Sequence, residues 1–217
     1  MKVSKRSRHI TLGFLVLLTI GGIVIFALWR GSTEVIQTSN NAGTNLALNA
    51  NVQPSPPRIP LGTGEPNHIS IPDRGIETPV IYIDEISEPV FQEALTRGVV
   101  HYPGTAKPGE PGNPYIFGHS SDYFWKPGEY KKVFAPLVDI PLDTEVRVTN
   151  DKGELFIYKV IETKVVGPKE ISVLDQYNNE RTILTLQTSY PIGTALKRYI
   201  AVAELDEEAT FGPAKQP

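Results

Sequence analysis

Cysteine is absent from this chain of 217 residues. Its absence excludes disulfides, thiolate metal sites and a cysteine nucleophile. An excess of positive charge is also missing. Lys and Arg number 21 against 24 Asp and Glu, for a net charge of −3 and a pI near 5.8. Nothing of that kind favours nucleic acid as a partner. Internal repeats are lacking too. What remains is an ordinary globular mixture, 40% hydrophobic and 21% charged, long enough for one domain with extensions.

Charge is absent locally as well. Residues 10–29 read ITLGFLVLLTIGGIVIFALW, without a charged side chain. At ~1.5 Å per residue, a helix of that length spans the ~30 Å of a bilayer's hydrocarbon. Lys2, Lys5, Arg6 and Arg8 precede it with no acid among them, and Arg30 alone follows immediately. Positive flanks stay inside, so the N-terminus is expected in the cytoplasm and the rest outside. A cleaved signal peptide has an apolar stretch of only ~7–15 residues and a small-x-small cleavage site. This run is longer and ends in ALWR. The expectation is a cytoplasmic tail at 1–9 and an uncleaved single-pass anchor at 10–29, with the remainder extracytoplasmic.

Residues 30–66 are rich in Ser, Thr, Asn, Gly and Pro, and between Gly31 and Pro66 only Glu34, Arg58 and Glu65 carry charge. Such a composition buries too little apolar surface to offset ordering, and reads as a flexible linker. Thirty-six residues of coil reach ~30–36 Å on average.

Residues 67–206 read as the folded domain, followed by a solvated tail at 207–217. Short runs with strand character are separated by Gly, Pro, Asn and Asp. They are His68–Pro72, Thr78–Ile83, Pro114–Gly118, Glu145–Thr149, Glu154–Val166, Arg181–Thr188 and Lys197–Leu205. The turn NDKG at 150–153 joins two of them as a hairpin. Helical pieces are few: Glu88–Arg97, a turn within Tyr130–Leu137, and Glu170–Tyr177. The density of strands predicts a mainly β, closed or nearly closed barrel with few exposed edges.

Two motifs carry chemistry. In YIFGHSSDYFW, Tyr115–Trp125, a strand ends in Gly118 and His119 stands at its tip. An imidazole there can give or take a proton near neutral pH, and Asp122 is a candidate carboxylate to orient it. The other reading is a hydrogen-bonded loop histidine. In LTLQTSYPIGTALKRYIAVAEL, Leu184–Leu205, Thr188 and Ser189 close one strand and Arg198 lies near the start of the next. An antiparallel hairpin brings Arg198 back beside Ser189, where a guanidinium can donate to a carbonyl or oxyanion. The alternative is a plain strand end with a solvated arginine. Past His119, the aromatics of Phe124–Tyr130 either rim a groove or pack as a loop. His101 and His119 have no third partner at useful spacing, so no metal and no cofactor is expected.

Together the motifs resemble the sortase family. Its strand end TLxTC is matched by TLQTS with Arg198, and its histidine by IFGHSS with His119. The resemblance extends through His68–Val80 and Gly98–Ser121 and covers nearly all of 67–205. It implies an eight-stranded β-barrel and a membrane-tethered transpeptidase. Such an enzyme cleaves the Thr–Gly bond of LPxTG-like sorting signals and joins the threonine to a peptidoglycan or pilin amine. The implied catalytic set is His119, Ser189 and Arg198, with Thr188, Ser120 and Tyr190 as substrate contacts. The departure is Ser189, which stands where the family has cysteine. A serine hydroxyl is far less acidic than a thiol and needs an oriented base. The alternative implication is a catalytically impaired module that binds sorting-signal peptides.

Overall fold

In a computed structural model, residues 58–125, 127–177 and 180–213 of the chain are described. The anchor expected at 10–29 lies outside them, as do the basic tail, the linker to residue 57 and the last four residues. Among the described residues, no helix is long and apolar enough to cross a membrane.

Nine strands form one sheet: β1 (Gly62–Thr63), β2 (His68–Ile71), β3 (Ile76–Tyr82), β4 (Val99–His101), β5 (Tyr115–Phe117), β6 (Glu145–Thr149), β7 (Glu154–Val166), β8 (Ile183–Tyr190) and β9 (Lys197–Leu205). Their order is β1-β7-β6-β2-β3-β4-β5-β8-β9, and β9 pairs back onto β7. Eight strands therefore close into a barrel. The short β1 sits on β7 at Glu154 and Leu155, beyond the reach of β9. Closure leaves the eight strands without a free lateral edge.

Two neighbouring pairs are parallel, β3–β4 and β5–β8. Parallel neighbours need a crossover; between β3 and β4 it is helix α1 (Glu88–Leu95), with Pro in its first turn. The barrel interior is filled from alternating positions. Val146 and Val148, Phe156, Tyr158 and Val160, Leu184 and Leu186, and Tyr199, Ala201 and Ala203 belong to one buried cluster. Tyr158 is fully buried, and its phenol oxygen accepts from the Gly109 N–H at 2.8 Å. A Cβ on Gly109 would lie 2.1 Å from the Phe156 ring, and its φ is +86°, so glycine alone fits there.

The sequence reading differs from this structure in four places. Val99–His101 is a strand that no turn signal isolates, because it is three buried residues long. Of the helix expected over Glu170–Tyr177, a 3-10 turn forms at Ser172–Leu174, and no α-helix forms there among the described residues. The folded part also begins before residue 67. Leu61 N–H donates to the Thr210 carbonyl at 2.9 Å, and the Arg58 guanidinium stacks 4.6 Å from the Phe211 ring centroid. The fourth difference lies at the C-terminus, which is no solvated tail as far as Phe211. Residues Glu207–Phe211 form helix α2, capped by the Asp206 carboxylate accepting from Ala209 N–H at 2.9 Å. Thr210 is 1% exposed and Phe211 packs against the barrel core. One ring and one hydroxyl anchor this end, too little apolar periodicity for a pattern to register.

Candidate active site

Strand β8 decides where the chemistry points. Leu184 and Leu186 face the barrel interior, whereas Ile183 belongs to a second cluster with Tyr115, Val173, Ile200 and Val202 on the outside. Strand side chains alternate faces. Thr188 therefore continues the inner row, and Gln187 and Ser189 continue the outer one. In β9 the same rule puts Arg198 outside with Ile200 and Val202. The β8–β9 register pairs Ser189 directly with Arg198.

Strand β5 lies on the other side of β8, parallel, with Phe117 opposite Gln187. Gly118 N–H continues the ladder by donating to the Gln187 carbonyl at 3.0 Å. The next residue, His119, thus arrives alongside Ser189. A Cβ on Gly118 would lie 2.7 Å from Val99 Cγ1 and 2.8 Å from Phe134 Cδ2, so the core itself demands glycine before the histidine. The His119 carbonyl accepts from Phe134 N–H at 3.0 Å. Its ring Nε2 lies 3.8 Å from Asp122 Oδ2, and the two side chains are 19% and 11% exposed. That carboxylate is placed to orient the ring.

Arg198 is held by one nitrogen. Nη1 donates to the Ala195 and Lys197 carbonyls, at 3.0 Å each. Its other N–H groups meet no acceptor among the described residues. His119, Ser189 and Arg198 all line one cleft of about 730 Å³. Helix α1 forms one wall through Phe91 and Leu95; the Pro168–Leu174 connection forms a second one. That second wall is pinned from behind. Asn113 Nδ2 donates to the Val173 and Asp175 carbonyls at 3.1 and 3.0 Å, and Gln176 Oε1 accepts from Asn113 N–H at 3.1 Å.

The other expected site residues stand elsewhere. Thr188 and Ser120 are each 1% exposed, and neither lines the cleft. Thr188 Oγ1 donates to the Gly118 carbonyl at 2.9 Å, and Ser120 Oγ donates to the Ser189 carbonyl at 2.8 Å. Their hydroxyls cross-link the two strand ends that carry His119 and Ser189. This corrects their reading as substrate contacts: buried hydroxyls spent on carbonyls position the site from beneath. Tyr190 likewise turns inward, packing on the core with its ring 6.0 Å from that of Tyr199. Ser189 is also not the last residue of its strand, which continues through Tyr190.

Two cleft residues were missed. Tyr115 is 3% exposed on the cleft floor and donates its phenol to Gln187 Oε1. Burial pushes that phenol far above its ordinary pKa, with Arg198 pulling part of the way back. The period-two alternation of β8 would have placed Gln187 on the face of Ser189. In the aromatic loop, Tyr123, Phe124 and Trp125 are 59%, 85% and 66% exposed. Tyr123 stacks on Trp125 at 4.6 Å and lines the cleft.

Sortase D of Bacillus subtilis (strain 168) is 32% identical over 143 residues, covering 64% of this chain and 63% of that protein. The chain thus spans less than two thirds of that relative's length. A Clostridium perfringens Sortase D5 transpeptidase superposes with a TM-score of 0.52 at 26% identity, covering 66% of this chain and 81% of that one. Sortase A from Corynebacterium diphtheriae shares the fold, with a TM-score of 0.52 at 24% identity over 69% of this chain and 60% of its own. The family model of the sortase domain matches residues 69–206, and the chain belongs to the sortase family.

Proposed function

We propose that this chain is a sortase-type transpeptidase acting on LPxTG-like C-terminal sorting signals. The acyl group passes to a peptidoglycan or pilin amine. Residues 10–29 hold it in the cell membrane, N-terminus inside and barrel outside. The observation that carries this reading is the pairing of Ser189 with Arg198 in one cleft with His119.

The steps follow from that placement. Ser189 Oγ adds to the threonine carbonyl of the scissile Thr–Gly bond, and His119 takes the hydroxyl proton. The free N–H groups of Arg198 stabilise the oxyanion. The C–N bond breaks as His119 passes its proton to the departing glycine amine, leaving an acyl ester on Ser189. An incoming amine adds to that ester, His119 removes its proton, and the C–O bond breaks as Ser189 Oγ is reprotonated. Asp122 supports the imidazole in each transfer, as a carboxylate does for the histidine of serine hydrolases.

One observation favours a second reading. The nucleophile position holds a hydroxyl, which at its free pKa is a much weaker nucleophile than a thiol. A chain that keeps the cleft and lacks turnover is a tethered binder of sorting-signal peptides. Intact-mass spectrometry with an LPxTG-like peptide separates the two. An adduct on Ser189 establishes the transpeptidase. An adduct on the Ser189→Cys variant alone, with peptide binding to both, establishes the binder. No adduct and no binding in either overturns both readings.

A further inference from the structure

Gln187 is the candidate that the sortase-type reading leaves without a task. It lies on the outer face of β8, two positions before Ser189, and lines the cleft. Its cross-strand neighbours are Phe117 on β5 and Ile200 on β9. The amide is therefore a polar group set between apolar residues. Tyr115, buried beneath, donates its phenol to Gln187 Oε1. The phenol stays neutral, and so remains a donor, because burial raises its pKa. With Oε1 engaged, Nε2 is the end left to the cleft, and among the described residues no protein acceptor meets it.

We propose that Gln187, oriented by Tyr115, is a specificity-determining residue. Its Nε2 donates a hydrogen bond to a backbone carbonyl of the bound peptide, two residues from the scissile bond. The spacing has a physical basis. Positions i and i+2 on one face of a strand lie ~6.6–6.8 Å apart, and an extended peptide repeats its carbonyls at the same interval. A peptide whose scissile carbonyl faces Ser189 thus brings another carbonyl level with Gln187. A bound peptide that shuts solvent away from this amide must supply an acceptor, or leave the N–H buried and unpaired. Sites with such a demand reject partners that fail to meet it far more strongly than apolar pockets reject a misfit. The floor therefore selects an extended backbone with an accepting carbonyl at that place.

The inference rests on the sorting-signal reading, and the test keeps the two apart. Binding of an LPxTG-like peptide to the full-length chain is titrated, then repeated with peptides in which one backbone amide at a time is an ester. Ester carbonyls are weaker acceptors. Gln187→Leu is expected to weaken binding of the all-amide peptide roughly tenfold to a hundredfold. With the ester that weakens the carbonyl two residues from the scissile bond, the loss shrinks to within about threefold. Tyr115→Phe is expected to cost roughly threefold to tenfold on its own, and little more once Gln187 is leucine. A penalty equal for every ester peptide would mean that Gln187→Leu acts through the fold and overturns the inference. So does a penalty below about threefold for the all-amide peptide. If the unaltered chain and its Ser189→Cys variant both ignore the peptide, the sorting-signal reading itself falls and takes this inference with it.

Discussion

Thr188 and Ser189 are neighbours in β8, and they belong to different regions. Thr188 points into the barrel, is 1% exposed, and spends its hydroxyl on the Gly118 carbonyl. Ser189 points outward into a cleft shared with His119 and Arg198. The inner row is governed by packing and polar satisfaction. The outer row is governed by what it offers a ligand. Changes inside the barrel should therefore be read in stability, and changes outside in binding and turnover.

The largest expected effect tests the inner row. Leu186 is fully buried in the main cluster. Leu186→Ala should cost about 2–5 kcal/mol in denaturant unfolding, from lost transfer energy and the cavity left behind. Gln187→Leu, one residue along, should cost less, about 1 kcal/mol, chiefly from the buried Tyr115 hydroxyl left without its acceptor. Equal losses would show that the two faces of β8 do not differ in this way.

Arg198 tests the outer row. In the Ser189→Cys variant, Arg198→Ala should slow acylation by an LPxTG-like peptide roughly 10²–10³-fold, the usual cost of removing an oxyanion donor. Its melting temperature should change little, because the guanidinium bonds only to carbonyls of its own turn. A fall in stability large enough to account for the lost rate would make Arg198 a structural residue instead.

Between these extremes lie Thr188 and Ser120. Thr188→Val leaves the Gly118 carbonyl buried without its partner, and Ser120→Ala does the same to the Ser189 carbonyl. Each should cost about 1–3 kcal/mol, while peptide affinity of the folded protein stays within about twofold. A loss of affinity without a loss of stability would restore the direct substrate contact that the motif implied.

How much of this was legible depended on periodicity. Strands β6 and β7 were readable to the residue, because alternation and the NDKG turn mark both ends. The pairing of Ser189 with Arg198 followed from the hairpin idea and the loop length. Which face each residue took was available in the same alternation, yet the motif drew Thr188 into the site by proximity in sequence. Tyr115 was beyond reach. Its bond to Gln187 depends on a parallel β5–β8 pairing between segments some seventy residues apart, which no local pattern encodes. Helix α2 was missed for a related reason: it is fixed by Phe211, Thr210 and an arginine from before β1.

His119 and His101 repeat the inside–outside contrast and give the smallest effect. His119 lines the cleft. His101, in β4, is 4% exposed, lies against the Tyr82 ring at 4.7 Å, and holds the Ala106 carbonyl 2.7 Å from Nε2. Burial lowers its pKa below the ordinary value of 6.5, Lys107 adds to that, and the Ala106 carbonyl and Glu110 oppose it. Between the lowered folded value and the ordinary one, the unfolded chain binds more protons than the fold. Stability then rises with pH through that window and is flat with respect to this group above it. Acidification from roughly pH 7 to 5.5 should cost at most about 1.3 kcal/mol from His101, the limit for a group that never protonates in the fold. His101→Gln removes the titration, so its unfolding free energy should vary less over that range than the unaltered chain's, whatever its absolute stability. Identical slopes would mean that His101 titrates in the fold as it does in water, and that the interior at β4 is open to solvent.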